Sequence, residues 1–185
     1  MTVWALIVVL CSSACSHRRP IGADRATAEM QPVATIQELM AGQVDPAADA
    51  LWDSVAVIVS AAGTEERQPR SDAEWKAVRL QVLTLIEATH LLGMPGRRAG
   101  AGTSPPGPGE LPPIERQRRI DADHDAFVGF AMVLRAAAQE ALAAIDTRDP
   151  QRLMDAGGPI DTACEACHLT FWYPGQKPVG TRATP

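Results

Sequence analysis

The chain has 185 residues, enough for one domain with a real core and too few for two comfortable ones. Hydrophobic residues at 46% and charged residues at 21% exclude a disordered polypeptide. A net charge of −5, with no basic stripe interleaved with aromatics, excludes a nucleic-acid binder.

Met1 to Ala14 contain an apolar run, Val3 to Leu10, followed by small residues. The run is too short to span a bilayer and fits the core and cleavage zone of a secretory signal, although it lacks a basic start. Ser12-Ser13-Ala14-Cys15 resembles a bacterial lipoprotein box, with Ser12 where Leu is usual. Residues 1–15 therefore read as a signal peptide or lipoprotein leader. The expected location is the periplasm, tethered to a membrane through a lipidated Cys15. Arg18-Arg19 is no twin-arginine signal, because it follows the apolar run. Residues 16–34 are polar, small and Pro-broken, and read as a flexible tether.

Thr35 and Glu38 have the spacing of a capping box. Ile36, Leu39, Met40 and Val44 follow at helical spacing, and Asp45-Pro46 predicts a kink or restart, because Pro46 cannot donate to residue 42. Ala48, Leu51, Trp52, Val55, Ile58 and Val59 continue the pattern, so residues 35–60 read as one broken helix. Gly63 to Arg70 is a polar connection. Ser71 and Glu74 repeat the capping box and open a second helix that ends at Leu92, before Gly93 and Pro95.

Residues 93–113 are rich in Gly and Pro and read as a long loop that is merely tolerated. A third helix carries Ile120, His124, Phe127, Ala131, Leu134, Ala138, Ala141 and Ile145 on one stripe. Its near-heptad spacing suits antiparallel helices crossing at a shallow angle. Asp149-Pro150 supplies a cap and first position for the last helix. Gly157-Gly158-Pro159 disturbs that helix, and Trp172-Tyr173-Pro174 ends it. Four helices and no strands predict an all-α, antiparallel four-helix bundle over 35–174, with a tail at 175–185. Trp52, Trp75 and Trp172 are core residues by default.

The last helix holds Cys164-Glu165-Ala166-Cys167-His168. C-x-x-C-H is the attachment sequence for haem c, in which two thiols bond the porphyrin and the imidazole binds its iron. Residues 164, 167 and 168 are related as i, i+3 and i+4, so one helix face carries all three. With Cys11 and Cys15 in the leader, no other cysteine competes for the two thiols. Few aromatics, at 4%, leave room for one covalent haem in the interior. Three bland readings stand beside it, one of them chance. Half of a zinc site would need more ligands at paired spacing, and a thioredoxin-like pair should follow a strand.

A four-helix bundle with C-x-x-C-H on its final helix resembles the cytochrome c′ family, the class II c-type cytochromes. The resemblance implies His168 as the proximal iron ligand. Its six-coordinate branch supplies a Met early in the first helix, where Met40 stands. That branch implies an outer-sphere electron carrier. The other branch leaves the sixth position open and binds NO or CO. His124, His90 and Met94 are rival sixth ligands. The chain departs from the family at Asp45-Pro46 and Gly157-Gly158-Pro159, and it has Gln37 and Glu38 where basic residues are common. The resemblance implies redox proteins as partners, with a homodimer also open. No paired carboxylates, Ser/His/Asp set or phosphate-cradling Gly loop appears, so no enzyme is expected. A non-haem bundle using its two thiols for redox or metal chemistry is the remaining alternative.

Overall fold

The computed structural model describes residues 31–101 and 105–176. The leader, most of the tether and most of the tail, with Cys11, Cys15 and His17, lie outside them. The described chain is mostly helical, with one small antiparallel hairpin.

Thr35 caps α1 (Ile36–Leu39) as its spacing predicts: its hydroxyl accepts the Glu38 amide at 3.1 Å, and the Glu38 carboxylate accepts the Thr35 amide at 2.7 Å. The kink or restart expected at Asp45-Pro46 takes the form of a change of helix type, with Pro46 in the first turn of a new α-helical segment. A π turn, Met40–Val44, runs directly into α2 (Asp45–Ser54). The Asp45 amide donates to the Met40 carbonyl, five residues back. Pro46 explains the wide turn, because in a regular helix its ring would collide with the Gly42 carbonyl and leave it unbonded.

The helix expected to reach residue 60 ends at Ser54. Val55 turns extended, and β1 (Ala56–Ser60) pairs antiparallel with β2 (Gly63–Arg67), Val57 facing Glu66. The β-branched run Val57-Ile58-Val59 prefers a strand, and Gly63, at φ +128°, supports the tight return. Ile58 and Val59 are therefore exposed hairpin residues, not part of a helical stripe.

Ser71 caps α3 (Asp72–Leu92) with the second capping box. The Gly- and Pro-rich connection that follows is more than a tolerated loop. Its Arg98 and Ala99 carbonyls accept the Ile36 and Gln37 amides at 2.8 and 3.1 Å, satisfying donors that the start of α1 leaves free. Buried Arg97 donates to the Leu91 carbonyl at 2.6 Å and also to the Ala34 carbonyl. At the far end the Leu111 amide donates to the Trp172 carbonyl at 2.8 Å.

The third predicted helix is two. α4 (Pro113–Ala122) stops at Asp123, whose carboxylate accepts the Ala126 amide and caps α5 (His124–Asp146). An Asp gains more by capping than by sitting inside a helix, and the chain breaks there. α5 is long and apolar enough to cross a membrane by length and composition alone. Its Phe127, Ala131, Leu134 and Ala138, however, are buried in the core. α6 (Pro150–Phe171) runs unbroken through Gly157-Gly158-Pro159, contrary to the expected disturbance. Asp149 caps it by accepting the Arg152 amide at 3.0 Å.

α5 packs along α6 and α3, and α2 along α3. Leu51, Val82, Leu85, Leu153 and Ile160 are buried between them. Each such side chain contributes about 1.5–3 kcal/mol on leaving water. Phe127 and Phe130 meet Phe171 edge-on at 5.4 and 6.0 Å, tying α5 to the end of α6.

Candidate functional site

Helical spacing on α6 brings Cys164, Cys167 and His168 to one cavity. The cavity holds about 860 Å³ when its open mouth is included. Met40 and Val44 reach it from the π turn, and Ala48 and Trp52 from α2. Phe127, Phe130, Ala131 and Leu134 of α5 make the lining mostly apolar, although Asp45, Asp49, Asp161 and Glu165 also reach it. The four residues singled out in the sequence, Met40, Cys164, Cys167 and His168, therefore share one site. The rivals to Met40 do not line it. His90 is exposed beside Glu87 at 3.6 Å, His124 opens α5 elsewhere, and the Met94 sulfur accepts from Arg97 at 3.4 Å.

The two cysteines are free thiols, half-buried. Burial pushes Cys164 up to about 11, with Asp161 and Asp45 adding to the rise. Cys167 goes to about 12, through burial and then the neighbouring Cys164. Both are held as protonated, weakly polar groups, the opposite of an activated redox pair. Burial lowers the His168 imidazole below its usual value, although Asp45, Glu165 and Glu110 pull the other way. Asp45 is raised chiefly by burial; His168 opposes the rise and Asp49 adds to it.

The end of α6 adds groups that spacing alone did not reveal. The Tyr173 hydroxyl donates to the Glu165 carboxylate at 2.7 Å and lies 3.2 Å from His168 Nδ1. Glu165 sits three residues before His168, a separation that already put it on the same face; Tyr173 gave no such signal. Arg116 of α4, only 1% exposed, lays its guanidinium over the Trp172 ring at 3.9 Å. Trp52, core by default but also open as a cavity-lining residue, lines the cavity and donates to the Gly157 carbonyl at 3.3 Å.

Among the described residues no group of three or more His, Cys, Asp or Glu could hold a metal ion unaided. Comparison with protein-family models, curated proteins and solved structures gives no match.

Proposed function

We propose that the chain is an exported, monohaem c-type cytochrome, an outer-sphere electron carrier built on an antiparallel four-helix bundle that resembles the cytochrome c′ family. One observation carries the reading: the C-x-x-C-H face and Met40 line the same, mostly apolar cavity. The donor set fits the group. A porphyrin brings four nitrogens of its own, so the protein needs only one or two donors to the iron, and His168 and Met40 both line the cavity.

Cys164 and Cys167, spaced by one helical turn and unpaired, would hold the ring covalently. His168 and Met40 would supply the iron's protein ligands. Bound haem supplies a one-electron iron couple, and a thioether opposite an imidazole favours its reduced state. The apolar wall from α5, with Ala48 and Trp52 of α2, would shield part of the ring from water, while Asp45, Asp49, Asp161 and Glu165 also line the cavity. The high pKa of both thiols counts against the non-haem redox alternative, which needs a stabilised thiolate. Redox proteins are the proposed partners. The leader sequence supports export to the periplasm, with Cys15 as the lipid-bearing residue.

The test is the mass and optical spectrum of chain produced in a host that attaches haem to exported proteins. The reading expects a mass increase of one haem that survives denaturation, a Soret band, and loss of covalent retention in the double variant Cys164→Ser/Cys167→Ser. A polypeptide of bare mass with no Soret absorbance ends it. A high-spin spectrum with immediate CO binding instead selects the five-coordinate, gas-binding branch.

A further inference from the structure

We propose that Tyr173 and Glu165 are a positioning pair for His168: the Tyr173 hydroxyl, its proton given to Glu165, accepts the Nδ1 proton of the imidazole and leaves Nε2 as its free donor. The geometry leaves little choice. A phenol has one proton, and a carboxylate can only accept. The short contact, 2.7 Å, runs from Tyr173 to Glu165, so the hydroxyl has only a lone pair to offer toward His168. A ring nitrogen 3.2 Å from that lone pair is held there favourably only if it carries hydrogen. A neutral imidazole has one such hydrogen, so Nε2 has none.

Free imidazole side chains in water favour the opposite tautomer, with hydrogen on Nε2. The pair therefore selects the form that can bind a metal through Nε2 before any metal arrives. The end of α6 makes this possible. The Trp172 and Tyr173 amides both donate to the His168 carbonyl, at 2.8 and 2.9 Å, and this widened last turn, closed five residues back, brings Tyr173 beside the imidazole. The two rings sit 5.5 Å apart, tilted by 53°. The second Glu165 oxygen is buried and has no hydrogen-bond partner among the described residues, so none of them competes for the carboxylate's hold on Tyr173. A carboxylate reached through a hydrogen-bonded chain also makes a ligating imidazole a stronger donor. That stabilises oxidised iron and opposes the effect of a thioether on the other side.

The inference rests on the haem reading for what Nε2 does, whereas the tautomer belongs to the polypeptide alone. The first experiment is therefore long-range ¹H–¹⁵N correlation on ¹⁵N-labelled full chain without haem, at about pH 8, where an imidazole is neutral. His168 signals are assigned by their loss in His168→Ala. The expected wild-type pattern is hydrogen on Nδ1 and a bare Nε2. Tyr173→Phe removes the acceptor and should shift the population toward hydrogen on Nε2. Glu165→Ala frees the hydroxyl to donate to Nδ1 and should shift it further. Glu165→Gln keeps an oxygen that accepts from Tyr173 and should retain the wild-type pattern, a rescue that a purely structural role would not produce. Hydrogen on Nε2 in the wild type, or one pattern shared by wild type, Tyr173→Phe and Glu165→Ala, overturns the proposal. In haem-loaded chain, the reduction potential should rise in Tyr173→Phe and Glu165→Ala and stay put in Glu165→Gln; a potential unmoved in all three also overturns it. If no haem is ever retained but the tautomers follow the expected order, the pair stands and the haem reading fails.

Discussion

The Trp52 indole nitrogen donates to the Gly157 carbonyl across 3.3 Å, joining the helix that follows the π turn to the helix that carries the cysteines. The contact needs a bare Cα. A Cβ at 157 would lie 3.1 Å from Trp52 Cδ1 and 3.2 Å from its Nε1, whereas a Cβ at 158 would meet nothing within 4 Å.

Two neighbouring substitutions should therefore have opposite signs. Gly158→Ala gains the ordinary helix advantage of about 0.5–1 kcal/mol. Gly157→Ala has the same advantage but must push a packed indole aside, an overpacking cost of about 1–3 kcal/mol. The urea midpoint at constant slope should rise for the first and fall for the second. A rise for both would mean that Trp52 yields freely and that the cavity wall it forms is soft.

What the sequence disclosed depended on the range of the interaction. The capping boxes at Thr35/Glu38 and Ser71/Glu74 join residues three apart, and the face shared by Cys164, Cys167 and His168 is set by helical geometry, so both could be read. The hairpin could not. Five apolar residues from Val55 to Val59 satisfy a strand and a buried helix equally, and nothing within that short run decides between them. The break at Asp123 has no Gly or Pro to announce it. Tyr173 meets Glu165 and His168 only because of how the helix ends, and the connection around Arg97 earns its order from distant partners.

Arg116 tests whether a buried cation stabilises the fold or merely survives in it. Among the described residues its Nε and Nη1 have no hydrogen-bond partner, and the side-chain acceptors beside it are Gln37 at 3.5 Å and Glu110 at 3.8 Å. Burial lowers its pKa, although Glu110 works against that. Stacking on Trp172 returns only about 0.5–2 kcal/mol against a desolvation cost of several. Arg116→Met keeps most of the volume and leaves Glu110 one-third exposed, at 34%, so that no charge is stranded. Its haem-free chain should be at least as stable as wild type, while Arg116→Ala, which opens a cavity, should be less stable by roughly 2 kcal/mol or more. Thermal and urea unfolding of both variants decide it; a large loss in Arg116→Met would show the cation to be a net stabiliser.

The thiols give the pH dependence. Cys164 rises from an ordinary 9.0 to about 11, so folding favours its protonated form. Stability from this source is fully present below about pH 9 and declines as pH climbs toward the folded value. Two units also mean about 100-fold less thiolate at a given lower pH. Iodoacetamide should therefore label the folded, haem-free chain about 100-fold more slowly than the urea-unfolded chain near pH 8, with Cys167 slower still. Equal rates in the two states would mean that the cavity admits water freely around both sulfurs.

Met40 opens the π turn, half-buried, with its side chain in the wall of the same cavity as His168. If it is the second axial ligand, Met40→Ala should turn low-spin iron high-spin, abolish the thioether charge-transfer band and admit CO, with the fold intact because the residue is only part of the core. Val44, on the same turn and buried, is the control. Val44→Ala removes two methyl groups and should cost roughly 2 kcal/mol of stability while leaving the spin state alone. The two variants thus separate ligation from packing: one alters the iron and spares the fold, the other does the reverse. An unchanged low-spin spectrum in Met40→Ala removes Met40 from the iron and requires another donor in its place, for which His124, His90 or Met94 would have to move, because all three lie outside the cavity lining.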